Sequence, residues 1–103
     1  MQYDGQQLQT IKQQILTVIA KHLDLDQVNV FVFGSHARKQ QHKRSDFDIG
    51  LEAVNQIDPV KLIFIEEEFE KLPYLIDLVD FSILDNEFKK IAKKDIIIWN
   101  QAK

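Results

Sequence analysis

Residues 46–51 alternate strictly between acidic or small residues and large apolar ones, and no other feature of the sequence constrains the fold as much. One parity holds Asp46, Asp48 and Gly50, and the other holds Phe47, Ile49 and Leu51. Successive side chains of a β-strand point to opposite faces, so the segment is predicted to be a strand with one apolar and one acidic face. Such a strand needs a hydrophobic core on one side and a polar environment on the other.

Two aspartates on one face of a strand need a specific explanation. Side chains two residues apart in a strand start roughly 6–7 Å apart, and two carboxylates at that distance repel each other unless a cation lies between them. Asp is also depleted in strands, so the pair lowers stability. A Mg²⁺ site explains the pair, because Mg²⁺ prefers carboxylate and phosphate oxygens. The alternative is an edge strand whose polar face lies in water.

The first half of the chain is predicted to contain a helix and a strand. Apolar residues recur at three- and four-residue spacing over residues 4–23, which is typical of an amphipathic helix. In the segment Asn29–Phe33, the last four residues are β-branched or aromatic, and the segment ends abruptly at Gly34. This pattern predicts a buried strand followed by a turn.

The second half is predicted to form a helix, a strand and another helix. Asp58 is predicted to cap a helix that begins at Pro59 and runs to about Leu72. The third strand covers Leu75–Ile83, and Asp85 caps the last helix. The apolar segment Ile96–Trp99 fits a final helical turn or a short edge strand, and it either completes the core or forms a partner-binding edge. The predicted order is α-β-β-α-β-α, an α+β fold with a small mixed sheet backed by helices.

A third carboxylate interrupts the predicted third strand. Asp77 lies where an apolar residue is expected. If this strand lies beside residues 46–51, Asp77 faces the same cavity as Asp46 and Asp48, and three acids can hold two metal ions about 3.5–4 Å apart. Asp80 competes for this role, but its spacing of three from Asp77 places it on the opposite face, which favours a surface residue at the end of the strand.

Gly34 and Ser35 form the turn after the first strand. Glycine allows the backbone to approach a ligand closely, and the amides and hydroxyl of such a turn can bind phosphate oxygens. Alone, the pair is more typical of an ordinary turn. Residues 36–44 contain basic residues and no acid, so a basic loop leads directly into the two aspartates. That combination suits a metal-bound polyphosphate, which carries both signs of charge.

Length and composition narrow the class of protein. The 103 residues fit one compact domain spanning residues 1–103, and the net charge of −3 does not favour direct binding to nucleic acid. The absence of cysteine excludes disulfides and thiolate metal sites. The polar N-terminus does not fit a signal peptide, and the longest apolar runs are far too short for a membrane span. A soluble, cytoplasmic protein is therefore expected.

Two motifs make the sequence recognisable. Ten residues separate Gly34-Ser35 from Asp46-Phe47-Asp48, which matches the signature of the DNA polymerase β-like nucleotidyltransferase superfamily. The fuller run GSHARKQQHKRSDFDIGL, followed by IDLVDFSIL, resembles the minimal nucleotidyltransferases of bacteria and archaea, the antitoxin partners of HEPN-domain toxins. The resemblance covers nearly the whole chain. One departure is Lys39, where many relatives have glycine.

The resemblance implies four nucleotide-binding residues. Gly34 and Ser35 would contact the β- and γ-phosphates of ATP. Arg38 matches a basic position in the helix that follows the serine in the family, and Ser45 matches the serine before the first aspartate.

It also implies the catalytic and metal-binding residues. Asp46 and Asp48 would bind two Mg²⁺ ions, and Asp77 would be the third carboxylate of the metal site, which helps to activate the attacking hydroxyl.

The implied activity is transfer of AMP from ATP to a hydroxyl, that of a tyrosine, on a HEPN ribonuclease toxin encoded by the adjacent gene. The chain would silence this toxin as its antitoxin, in a hetero-oligomer, with no direct contact to nucleic acid or membrane. Two alternatives stay open. One is a non-catalytic module that holds nucleotide or partner and inhibits by occlusion, and the other is one subunit of a two-chain nucleotidyltransferase that modifies antibiotics.

Overall fold

The computed structural model describes residues 3–33 and 45–103 of the chain. Their helices are α1 (Gly5–His22), α2 (Pro59–Phe69) and α3 (Asn86–Ala92), and their strands are β1 (Val28–Val32), β2 (Phe47–Ala53), β3 (Ile76–Asp80) and β4 (Ile97–Asn100). Over these residues the predicted α-β-β-α-β-α order is confirmed, with a fourth strand after the last helix. Within the described ranges, every helix is too short or too polar to cross a membrane.

An aspartate precedes each of these three helices and accepts a hydrogen bond from a backbone amide of the first turn. These capping residues are Asp4, Asp58 and Asp85. At α1 the cap is reciprocal, because the side chain of Gln7 also accepts from the Asp4 amide. Short polar side chains of this kind satisfy amides that have no partner within the helix, so the predicted helix starts are confirmed.

The strands form one mixed sheet in the order β3-β2-β1-β4. Strand β1 is antiparallel to both of its neighbours, β2 and β4, whereas β2 and β3 run parallel. The parallel pair is joined through α2, as a parallel connection requires a crossover.

We call one side of this sheet the helix face. Its side chains form the main core with residues of α1 and α2, and the buried members are Ile11, Ile15, Val18, Ile19, Val28, Val30, Val32, Phe47, Ile49, Leu51, Ile57, Ile65 and Phe69. The apolar parity of β2 therefore lies in the core, as the alternation predicts.

The opposite side, the acidic face, holds the other parity of the strands. It includes Phe31, Phe33, Asp48, Gly50, Glu52, Asp77 and Val79. The rings of Phe31 and Phe33 pack against Phe81, with centroids 4.9 and 5.0 Å away. A Cβ on Gly50 would lie 2.3 Å from the Phe31 ring, so glycine is required where that ring crosses β2.

Two predicted boundaries were wrong. Helix α2 ends at Phe69 rather than at about Leu72, because the amides of Lys71 and Leu72 bond three residues back and tighten the chain into turns. Strand β3 ends at Asp80 rather than at Ile83. The Asp80 carboxylate accepts a hydrogen bond from the amide of Ser82 at 2.9 Å, which starts a 3-10 turn.

The segment Ile96–Trp99 forms most of an edge strand rather than a helical turn. One of its residues packs in the core, and two others are exposed at the edge of the sheet. Trp99 packs against the main core and lies 6.3 Å from the ring of Phe47. Ile97 and Ile98 are 58% and 49% exposed.

Candidate active site

Asp48 lies on the acidic face of β2 and is 0% exposed. The hydroxyl of Ser45 donates a hydrogen bond to its Oδ1 atom at 2.5 Å. The carbonyl of Asp48 accepts from the amide of Phe33 at 3.0 Å, so the residue before Gly34 is fixed next to it. Burial of an ionised carboxylate is unfavourable without specific partners, so this position suggests a function beyond packing.

Asp77 is paired in register with Asp48 on the parallel strand β3. Residues opposite each other on parallel strands project to the same face of the sheet, so the two carboxylates belong to one surface. The prediction that the third strand lies beside residues 46–51 is confirmed. Asp80 is opposite Leu51 instead, and its carboxylate caps the following turn.

Asp46 precedes β2 and is held against Leu75. Its amide donates to the Leu75 carbonyl at 2.7 Å, and its Oδ2 atom accepts from the Leu75 amide at 3.1 Å. Across residues 3–33 and 45–103, no three His, Cys, Asp or Glu side chains are grouped so that they could hold a metal ion. The structure thus pairs Asp48 with Asp77 but does not gather all three predicted carboxylates into one cluster.

The other predicted site residues, Gly34, Ser35 and Arg38, lie outside the described residues. Ser45 lies within them and contacts Asp48 directly. The described part of the site is therefore Ser45, Asp46, Asp48 and Asp77.

An aromatic cluster borders this site and was not predicted from the sequence. Tyr3 stacks on Phe47, with ring centroids 5.6 Å apart, and lies edge-on to Tyr74 at 6.2 Å. Burial, the negative charge of Asp46 and the neighbouring Tyr74 raise the pKa of the Tyr3 phenol above its ordinary value. Neither tyrosine lies in a motif, so the sequence held no signal for this cluster.

Glu52 lies on the acidic face of β2, two residues after Gly50. Two lysines bind it, one from α3 and one directly after α3. Lys89 lies 3.3 Å from its carboxylate, and Lys93 also donates a hydrogen bond to it. Burial alone would raise the pKa of Glu52, but the hydrogen bonds and charges of the two lysines outweigh it and leave the pKa lowered. The parity of residue 52 was a sequence signal for its place on this face, and it was missed.

Comparison with known proteins places this geometry in a family. The sequence profile described as "Polymerase beta, Nucleotidyltransferase" matches residues 9–103. The probable protein adenylyltransferase MntA of Haemophilus influenzae is 27% identical over 71 residues, which are 67% of this chain and 62% of MntA. A putative protein adenylyltransferase of Methanocaldococcus jannaschii is 32% identical over 71 residues, which are 67% of this chain and 72% of that protein. The match thus spans less than two thirds of MntA.

Solved structures share the fold. A chain from the complex of tri-AMPylated Shewanella oneidensis HEPN toxin with MNT antitoxin gives a TM-score of 0.66 at 16% identity, covering 92% of this chain and 72% of that one. A toxin–antitoxin structure with AMP-PNP gives 0.65 at 18% identity, covering 89% and 73%. The profile match over residues 9–103 confirms the superfamily inferred from the two motifs. This chain belongs to the polymerase beta nucleotidyltransferase family.

Proposed function

We propose that this protein is a protein adenylyltransferase that transfers AMP from ATP to a tyrosine hydroxyl of a HEPN-domain partner protein and so acts as its antitoxin. The observation that carries the proposal is the pairing of Asp48 with Asp77 in register on adjacent strands. Two carboxylates on one surface of the sheet, one of them fully buried, supply the hard oxygen ligands that a metal-bound nucleotide requires.

We infer that the acceptor is a protein from the names of the related proteins. Both aligned relatives are named as protein adenylyltransferases, at 27% and 32% identity. One structure of the same fold is a complex with a tri-AMPylated HEPN toxin. We extend this acceptor class to the present chain.

In the proposed reaction the acceptor hydroxyl oxygen forms a bond to the α-phosphorus of ATP. The bond between that phosphorus and the oxygen leading to the β-phosphate breaks, and pyrophosphate leaves. Asp77 receives the proton of the hydroxyl. Asp48 is held in one orientation by Ser45, whose hydroxyl lies 2.5 Å from Oδ1, and an orientation fixed before the reaction lowers the cost of reaching the transition state.

The donor set fits Mg²⁺, since all its atoms are hard carboxylate oxygens. Asp48 and Asp77 would hold the metal from neighbouring strands, and Asp46 would join them after its carboxylate leaves the Leu75 amide. When bound, one or two Mg²⁺ ions would neutralise the triphosphate and the carboxylates and align acceptor and α-phosphate. Gly34, Ser35 and Arg38 are proposed to contact the phosphates.

A second function is favoured by one observation. The Asp46 carboxylate accepts a hydrogen bond from the Leu75 amide at 3.1 Å, and a module that only binds and occludes its partner would keep this contact. The same experiment separates the two functions.

The test is intact mass spectrometry of the HEPN-domain partner after incubation with this protein, ATP and Mg²⁺. We expect the partner to gain one or more AMP units. Asp48→Asn and Asp77→Asn should each lower the rate by roughly 100-fold or more, because each removes a group that stabilises charge in the transition state. The nearby Asp80→Asn is the matched control, since Asp80 faces away from the site, and it should keep the rate of the unaltered protein.

Two outcomes would overturn the proposal. One is a tight complex with no AMP added, which would establish the occluding module. The other is AMP transfer that survives both Asp48→Asn and Asp77→Asn, which would place the chemistry elsewhere. Circular dichroism of each variant checks that the fold is intact.

A further inference from the structure

Helix α3 turns charged side chains toward the sheet and large apolar side chains toward solvent. Lys89 and Lys93 both contact the carboxylate of Glu52 on the acidic face. Phe88 and Ile91, by contrast, are 48% and 62% exposed. A surface helix that packs on one core normally has the reverse arrangement, with its apolar side buried and its charges in water. The apolar side of α3 is therefore suited to contact with another protein surface.

Helix α2 has apolar residues on both of its sides. Ile65 and Phe69 are buried in the main core. Val60, Ile63 and Phe64 lie on the other side at three- and four-residue spacing, and each is about half exposed. A helix that is apolar all round is normally buried on every side. The outer side of α2 is therefore suited to a protein contact as well.

A charged residue follows the apolar residues on each helix, and the two charges are opposite. On α2, Glu67 lies three residues after Phe64 and is exposed. On α3, Lys94 lies three residues after Ile91, in the turn directly after the helix, and is also exposed. The resulting surfaces are the α2 patch, made of Val60, Ile63, Phe64 and Glu67, and the α3 patch, made of Phe88, Ile91 and Lys94.

The two patches lie on opposite sides of the sheet. Helix α2 packs on the helix face, whereas the lysines at α3 bind Glu52 on the acidic face. The patches therefore cannot meet within one chain, but the α2 patch of one chain can meet the α3 patch of another. A contact between two different patches is heterologous, so a dimer still presents one free patch of each kind.

We propose that the α2 patch binds the α3 patch of a second copy of this protein, head to tail. With the two helices side by side and in the same direction, the apolar side chains meet and Glu67 lies beside Lys94 of the second copy. Unlike patches bring opposite charges together, whereas like patches carry like charges. Successive contacts close into a ring or continue as a chain. This assembly does not depend on the proposed function.

The first test is sedimentation velocity of the full chain. Two short helices form a smaller contact than a stable dimer needs, so the association is weak. Protein concentrations from roughly 1 µM to 1 mM cover that range of affinity. We expect the weight-average sedimentation coefficient to rise with concentration, past the value of a dimer. A chain that stays monomeric over the whole range would overturn the proposal.

One substitution alters each patch without changing the core. Ile63→Gln and Ile91→Gln replace isoleucines that are at least half exposed, and glutamine favours a helix. Each should weaken association by roughly fivefold or more, because an apolar side chain no longer leaves water in the contact. Ile97→Gln is the matched control, since Ile97 is similarly exposed but lies on β4, and it should leave association unchanged. Weakening by Ile97→Gln alone would place the contact at the sheet edge and overturn the proposal.

A mixture of the two patch variants distinguishes a head-to-tail contact from a symmetric one. The Ile91→Gln chain keeps an intact α2 patch, and the Ile63→Gln chain keeps an intact α3 patch. The two variants should therefore bind each other as tightly as unaltered chains do, while growth beyond this dimer stays weakened. A symmetric contact between two α2 patches would persist in Ile91→Gln alone and gain nothing from mixing, and that result would overturn the proposal.

Exchange of the two charges tests why the occupant is a second copy. Glu67→Lys should weaken association by roughly two- to fivefold, because it replaces attraction by repulsion at an exposed ion pair. Glu67→Lys combined with Lys94→Glu restores opposite charges across the contact and should recover the affinity of the unaltered protein. A double variant that is no tighter than Glu67→Lys alone would show that these two charges do not face each other, and the head-to-tail contact would be wrong.

Discussion

The helix face and the acidic face of the sheet are built by the same strands but stabilised in different ways. On the helix face, residues of β1 and β2 pack against α1 and α2 in one continuous apolar core. On the acidic face, the same strands present carboxylates, and the apolar part is a small cluster of three buried phenylalanines. Folding free energy therefore comes mainly from the helix face, while the acidic face holds groups that cost stability and carry chemistry.

The acidic face offsets this cost with specific contacts at each position along β2. Ser45 binds the carboxylate of Asp48, and the ring of Phe31 covers Gly50. Further along the strand, Glu52 is bound by two lysines. Each of these contacts involves one or two partners. On the helix face, by contrast, the stabilising apolar contacts are distributed over many buried residues. Single substitutions should therefore have different consequences on the two faces.

The largest loss of stability is expected on the helix face. Ile65 of α2 is 0% exposed, and Ile65→Ala should lower the free energy of unfolding by about 2–5 kcal/mol, because it removes buried methyl groups and leaves a cavity. Ile63 on the same helix is 53% exposed, so Ile63→Ala is the matched control and should change stability by roughly 0.5 kcal/mol or less. Urea unfolding followed by circular dichroism measures both.

A smaller loss is expected from a close contact on the acidic face. Gly50→Ala would place a methyl group 2.3 Å from the Phe31 ring, which is itself packed 4.9 Å from Phe81. We expect a cost of about 1–3 kcal/mol from this overpacking. Gly5→Ala is the control, because a Cβ there meets nothing within 4 Å and alanine favours a helix. A Gly50→Ala protein as stable as the unaltered one would mean that the Phe31 ring moves aside freely, and the acidic face would then be loosely packed.

These cases show how far the sequence could predict the structure. Strict alternation in residues 46–51 was enough to assign both faces of β2, and Asp77 was recognisable because it interrupts an apolar strand. The contact of Asp46 with Leu75 was not predictable, since it depends on a backbone amide that only the folded sheet brings near. The contact between Tyr3 and Tyr74 was not predictable either, since only the folded chain brings the two rings together. Four apolar residues at 96–99 could not distinguish helix from strand, because the choice depends on whether β1 has a free edge.

The smallest effect concerns the ion pairs of Glu52 and also depends on pH. The lowered pKa of Glu52 means that the folded state favours the ionised carboxylate. The stabilisation is therefore complete above the pKa of an unfolded glutamate, about 4.3, and is lost as the pH falls through the lower pKa of the folded state. We expect Glu52→Gln to lower the free energy of unfolding by about 1 kcal/mol at pH 7.

Urea unfolding at neutral and acid pH tests this expectation. The deficit of Glu52→Gln should shrink below about pH 4, because the glutamate of the unaltered protein then becomes protonated and loses its attraction for Lys89 and Lys93. Glu87→Gln, at an exposed carboxylate of α3, should show little deficit at either pH. A deficit of Glu52→Gln that stays constant from neutral to acid pH would come from packing rather than charge. In that case apolar packing would hold α3 on the acidic face, as it holds α1 and α2 on the helix face. The difference in stabilisation between the two faces would then be limited to the positions of Asp48 and Asp77.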